Sequence, residues 1–221
     1  MSRITIIGGH GKVALHLARD LTANGHQVTS LFRNPQHTAD VEATGATAVV
    51  ADVENLSTEE IAQKLEGADA VVWSAGAGGG APERTYAVDR DAAIRSIDAA
   101  VAAGVRRYVM VSYFGAGPEH GVPEDNGFYA YAEAKAAADQ HLRQSGLDWT
   151  ILGPSALTTD PGTGKIELGA GIEGTQVSRE DVALVAAAVL ERPGTIGQTI
   201  QFNNGSVAID TALDTFKEHN A

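Results

Sequence analysis

The protein has 221 residues, 16 basic against 28 acidic side chains, a formal net charge of -12 and no cysteine. A surface this acidic repels nucleic acids and anionic membranes, and the missing thiols exclude disulfides, thiolate catalysis and cysteine-ligated metals. No apolar run is long enough to cross a bilayer, and strand-like residues begin without a basic-plus-apolar leader, so a cytoplasmic enzyme or binding protein is expected.

Ile4–Ile7 reads as a buried strand and runs into Gly8-Gly9-His10-Gly11-Lys12-Val13-Ala14, after which Lys12–Ala23 carries a helical pattern closed by Gly25. Read as G-x-x-G-x-x-A, the turn needs Gly8 to leave the strand, Gly11 to let backbone approach a pyrophosphate, and Ala14 to pack helix on sheet. A helix N-terminus there offers free N–H groups and a positive dipole end to phosphates. His10, Lys12 and Val13 belong to the same cofactor-contacting turn, and no catalytic role is expected for His10. The P-loop pattern is absent.

Val28–Phe32 is the second strand, and Arg33-Asn34-Pro35 follows it. A cofactor with a free ribose 2′-hydroxyl usually meets Asp or Glu at this strand's end. Here Arg33 can fork onto a 2′-phosphate and Asn34 can add a donor, so NADP is expected over NAD. A weak helical pattern covers Pro35–Thr44, and Thr47–Ala51 is the third strand, ending at Asp52-Val53, where a carboxylate can accept from an adenine amine. The helix Thr58–Leu65 leads to the strand Ala70–Ser74, whose small followers Ala75 and Gly76 leave room beside a cofactor together with Ser74. Thr85–Ala103 is a long helical stretch, and Tyr108–Ser112 is the fifth strand.

Tyr129–Ser145 is helical and carries Tyr131 and Lys135, four apart and so on one face. A lysine beside a phenol lowers its pKa toward neutrality and lets it exchange a proton while hydride moves to or from carbon. The same lysine can hold ribose hydroxyls, and Ser112 can bind the substrate oxygen. The strand Thr150–Leu152, the helix Arg179–Leu190 opened by the capping pair Ser178 and Asp181, the strand Thr199–Phe202 and a last helix Thr211–His219 complete the chain. Repeated strand–helix–strand units give an α/β fold. The expected architecture is a doubly wound parallel sheet, a Rossmann fold of about seven strands with helices on both faces. Loops 76–83, 115–127 and 158–174 follow strand ends and would shape the ligand crevice. No metal is expected: His-Glu-x-x-His is absent, and Glu119, His120, Glu124 and Asp125 sit in a turn-rich loop. The G-x-S-x-G elbow of hydrolases is also absent.

Over nearly its whole length the chain resembles the atypical short-chain dehydrogenase/reductases, near the NmrA-like and NAD(P)-dependent epimerase groups. The resemblance rests on Ile6–Ala14, Leu31–Pro35, Val109–Ser112, Tyr131–Asp139, Leu142–Leu152 and Ser178–Ala183. It implies NADP at the glycine turn and Arg33, with Ser112, Tyr131 and Lys135 as the catalytic set. The place of the usual fourth-helix Asn is taken by Asp89, which helical period puts in line with Ala93 and Ala100. Pro154, Ser155 and Leu157 are expected to cover the nicotinamide. Relatives often carry Arg before that proline, where this chain has Gly153. The expectation is one domain over residues 1–221, with loops and the segment 153–221 facing a small molecule. Its activity would be that of an NADP-dependent oxidoreductase acting on a small carbonyl or hydroxyl compound. An NADP(H)-binding sensor without catalysis and a sugar epimerase stay open beside it, as does assembly as a homodimer or with a protein partner.

Overall fold

The structure, a computed structural model, describes residues 1–79, 81–169 and 171–216. Its strands are β1 (Arg3–Ile7), β2 (Gln27–Phe32), β3 (Thr47–Val50), β4 (Ala70–Trp73), β5 (Arg107–Val111), β6 (Asp148–Pro154), β7 (Ala156–Thr158), β8 (Lys165–Leu168), β9 (Gln176–Ser178), β10 (Gln198–Asn204) and β11 (Val207–Ala208). Seven of them lie parallel in the order β3-β2-β1-β4-β5-β6-β10 and correspond to the seven strands read from the sequence.

The sheet is nevertheless larger than seven strands. β8 adds antiparallel to β10 and β11 to β8, giving nine, while β7 and β9 pair in a separate two-stranded sheet. These extra strands have two to four residues and several exposed positions, too few for an alternating pattern to stand out from loop.

Side-chain alternation divides the core. Ile4, Ile6, Ala70, Val72 and Val109 face a layer built by α1 (Lys12–Ala23), α7 (Arg179–Leu190) and α8 (Ile209–Thr215). Ile7, Val71, Trp73, Tyr108 and Met110 face α3 (Thr58–Leu65), α5 (Ala93–Ala102) and α6 (Tyr129–Gln144). Strands covered on both faces are apolar throughout, which is why β4 reads Ala-Val-Val-Trp.

The expected helix 85–103 is interrupted. A short α4 (Pro82–Thr85) passes into a π-helical stretch, Tyr86–Ala92, before α5 begins. Such wide turns recur at functional sites, and this one carries Asp89. The weak pattern at 35–44 resolves into a 3-10 turn, Pro35–His37, and α2 (Thr38–Glu42). The last helix ends at Thr215, and the part read out to His219 lies outside the described residues. Ser178 caps α7 by accepting the Asp181 N–H at 2.9 Å. The Asp181 carboxylate, fully buried, does not close a capping box; it takes the amides of Thr163 (3.0 Å) and Gly164 (2.7 Å) and so ties the loop after β7 to α7. Among the described residues no helix is long and apolar enough to cross a membrane.

Candidate functional site

Strand order reverses between β1 and β4, and a cleft of about 920 Å³ opens there at the carboxyl ends of the strands. The glycine turn forms its floor. Gly8 has φ +88°, and a Cβ on it would lie 2.5 Å from the Ala75 backbone, so the turn and the end of β4 are packed backbone to backbone. Gly9, given no role by its place in the motif, sits where a Cβ would meet the Ser30 Cβ at 2.5 Å. The Gly8 and Gly9 amides both donate to the Leu31 carbonyl, and the Gly11 amide to Gly8. Three of the turn's N–H groups, those of Gly8, Gly9 and Gly11, are therefore spent on holding its shape. The anion-facing end is left to α1, whose N-cap is Gly11 with no side-chain cap and no acidic residue in its first turn.

At the β2 end, Arg33, Asn34, His10 and Lys12 line the same cleft. The Asn34 Oδ1 accepts the Gln36 amide at 3.0 Å, which leaves the side-chain amide as its donor. His10 is not merely exposed in the turn: it stacks on His37 at 3.6 Å, and its Nε2 lies 3.1 Å from Asp40. Asp52 turns its carboxylate onto its own loop, accepting Glu54 N–H at 3.3 Å and Asn55 Nδ2 at 2.9 Å. No carboxylate follows β2 in the chain, yet Glu54, arriving from the β3 loop, stands 3.4 Å from Arg33.

The opposite end of the cleft holds Ser112, Tyr131 and Asp89. Tyr131 packs with Tyr113 and Phe128, at centroid distances of 5.5 and 5.1 Å. Burial first, then Asp89 and Asp139, then Tyr113, push its phenol above the ordinary value. This reverses the expected lowering by Lys135. That lysine is 1% exposed, is not part of the cleft wall, and donates to the Val111 carbonyl at 2.8 Å. Through that carbonyl it holds the end of β5. Burial lowers its pKa, against opposing pulls from Asp139 and Asp89.

Asp139 has no role in the sequence motif but stands directly behind Ser112. It follows Lys135 by four and Tyr131 by eight, so the helical stripe that singled out the first two extends to it. It is fully buried, and its Oδ2 accepts the Ser112 hydroxyl at 2.6 Å while Oδ1 has no partner among the described residues. Burial raises its pKa, opposed by Lys135, then Ser112, then Arg143. With its proton given to Asp139, Ser112 presents lone pairs to the cleft and not a donor. Asp89, 1% exposed, accepts the Ala77 amide at 2.9 Å. Its Oδ1 lies 3.0 Å from where a Gly76 Cβ would stand, so a side chain at 76 would crowd this carboxylate. Burial raises the Asp89 pKa against Lys135, the Ala77 amide and Arg84. Arg90 turns outward to Asp91 and Tyr86, settling which neighbour on that helix faces in.

Val13, Val53, Ser74 and Ala75 line the cleft, as does Leu157, whereas Pro154 and Ser155 are buried behind it. Gly153 has Gln201 Cγ and the Tyr113 carbonyl 3.1 and 3.2 Å from a would-be Cβ, so little fits there. A cation reaches this end by another route: Arg179, the first residue of α7, lines the cleft and donates to the carbonyls of Leu157 (3.1 Å) and Thr158 (2.8 Å). His120, in the turn-rich loop, pairs with Glu133 at 2.7 Å and thereby docks that loop on α6.

A profile of NAD(P)H-binding domains matches residues 8–193. The chain is 35% identical over 213 residues to the uncharacterized sugar epimerase YhfK of Bacillus subtilis, covering 96% of this chain and 98% of that one. A solved structure from Bacillus halodurans, described as an NAD-dependent epimerase/dehydratase, superposes with a TM-score of 0.90 at 31% identity, covering 98% of this chain and 100% of the other. A short-chain dehydrogenase/reductase from Veillonella parvula, solved with NADP, has a TM-score of 0.73 at 22% identity over 95% of this chain and 97% of its own, a likeness of fold.

Proposed function

The chain belongs to the NAD(P)H-binding family, and on that premise we propose that it is an NADP-dependent oxidoreductase of a small carbonyl compound. The observation that carries this reading is the single cleft joining the uncapped start of α1 and Arg33 to Tyr131 and Ser112. The residues fit the cofactor: a helix N-terminus for the pyrophosphate, Arg33 for a 2′-phosphate, and small residues Ala75 and Gly76 beside the ring. A nicotinamide bound there supplies or accepts hydride.

The protein's part is to hold and move one proton. Tyr131, its pKa raised by burial and by Asp89 and Asp139, stays protonated near neutral pH and donates to the carbonyl oxygen. Ser112, its own proton held by Asp139, accepts the hydrogen bond of the hydroxyl that results. Lys135 acts as a positioning residue through the Val111 carbonyl. The raised pKa makes the phenol a weaker acid than an ordinary one, so its proton passes only as the carbonyl oxygen takes on alkoxide character, and the phenolate left behind is reprotonated from solvent in the open cleft. The whole chain then serves as one domain, the part from residue 153 onward facing the substrate.

A second reading, an NADP(H) sensor without turnover, draws on the same geometry: Lys135 is behind the wall and Ser112 offers no donor. The separating experiment titrates NADPH and NADH by nicotinamide fluorescence, then screens aldehydes and ketones with wild type and Tyr131→Phe. Turnover lost in Tyr131→Phe with NADPH binding intact supports the reductase. Binding without turnover across the screen supports the sensor. Binding of neither dinucleotide overturns both.

A further inference from the structure

We propose that Glu54 is a specificity-determining residue: its carboxylate occupies the arginine seat that a 2′-phosphate would take, and it thereby restrains the preference for NADP over NAD. The proposal rests on the reading of Arg33 as a 2′-phosphate ligand.

Glu54 Oε2 lies 3.4 Å from Arg33 Nη1 and 3.4 Å from Arg84 Nε, so one carboxylate oxygen bridges two guanidinium groups that arrive from different parts of the chain. All three side chains line the cleft. Arg84 is itself tethered, donating to the Ala77 carbonyl. Glu54 is held by its backbone. Its N–H donates to the Asp52 carboxylate at 3.3 Å, and its carbonyl accepts from Arg95 Nη2 at 2.9 Å. Arg95 also takes the carbonyls of Val53 and Leu56, each at 3.1 Å, so the loop after β3 is clamped at three points. A carboxylate on so fixed a loop cannot drift away from the arginines except by side-chain rotation.

The charges decide the consequence. Two guanidiniums and one carboxylate leave a net single positive charge, against a phosphate group close to a dianion. To engage Arg33 with both oxygens of a fork, the phosphate must displace the carboxylate or share the arginine with it, and the two repel each other. A cofactor without the phosphate meets no such competitor. Its 2′-hydroxyl can instead donate to Glu54. The carboxylate thus weakens the phosphorylated cofactor and leaves the other unharmed.

The test measures Kd for 2′,5′-ADP, 5′-AMP, NADPH and NADH against wild type, Glu54→Gln and Arg33→Ala. The Glu54 side chain makes no hydrogen bond or salt bridge among the described residues beyond those to the two arginines, and Gln is of equal size, so melting temperature checks that the fold is kept. Glu54→Gln should tighten NADPH and 2′,5′-ADP by about tenfold, the screened effect of one charge removed beside a phosphate, with NADH and 5′-AMP unchanged or weaker. In the Arg33→Ala background the same substitution should change NADPH binding by less than about threefold. An unchanged NADPH-to-NADH ratio in Glu54→Gln, while Arg33→Ala still weakens NADPH selectively, overturns the role of Glu54 and leaves the arginine reading standing. If Arg33→Ala weakens both cofactors equally or neither, the arginine reading fails and Glu54 falls with it.

Discussion

Replacing Gly9 with Ala tests whether the glycine turn is shaped by packing on β2 as much as by any ligand. The added Cβ would stand 2.5 Å from Ser30 Cβ and 3.0 Å from both Ser30 Cα and Oγ. Ser30 is fully buried in a central strand, so the obstacle is not the free end of a long side chain. Overpacking of this kind costs roughly 1–3 kcal/mol, and the near-backbone contact puts Gly9→Ala at about 3 kcal/mol. Ser30→Gly removes the closest atoms and costs about 1 kcal/mol through chain entropy. Additivity would make the double variant worse by about 4 kcal/mol. Relief of the clash should bring it to about 2 kcal/mol, because Ser30 Cα stays close while Cβ and Oγ are gone, a coupling of about 2 kcal/mol. Urea unfolding of the four proteins measures this directly, and in thermal melts Gly9→Ala should lose about 6–12 °C. NADPH affinity should fall in Gly9→Ala, through displacement of the α1 start, and return in the double variant. Additive free energies within about 0.5 kcal/mol would refute the packing argument.

Asp139→Asn should change the pH dependence of stability. The raised Asp139 pKa means the native protein holds its proton more tightly than the unfolded chain, so wild type gains stability from this group as pH falls through the raised value toward 3.8. The variant lacks that gain: relative to wild type it should be most favoured at neutral pH and least favoured near pH 4, and a parallel pair of melting-temperature curves would contradict this. Arg107 donates to the carbonyls of Asp148 (2.7 Å) and Val189 (2.8 Å) and to Thr150 Oγ1 (2.9 Å), so Arg107→Ala strands buried acceptors and should cost about 3 kcal/mol in urea unfolding. Ser57 and Glu60 form a full capping box on α3, at 3.2 and 2.8 Å, and neither lines the cleft. Ser57→Ala should lower stability by about 1 kcal/mol in the same assay while leaving NADPH affinity untouched.

Local pattern in the chain was enough to determine the seven parallel strands, most of the helices and the glycine turn, because each depends on residues adjacent in sequence. An all-apolar run such as Ala70–Trp73 can only be buried on both faces, and a glycine cluster between strand and helix leaves few other readings. The Tyr131–Lys135 spacing was equally legible, but its consequence was not. Which side of β5 the lysine reaches, and that it binds the Val111 carbonyl, depend on how α6 seats against the sheet. The same holds for Ser112 and Asp139, 27 residues apart in the chain and joined at 2.6 Å. Glu54 and Arg179 come to the cleft from loops and helix starts whose positions are set by strand order, not by neighbours in sequence. Their partners could not be read one segment at a time. Electrostatic effects act across space, so the direction of the Tyr131 shift was decided only once burial and the carboxylates of Asp89 and Asp139 were brought around the phenol by the tertiary fold.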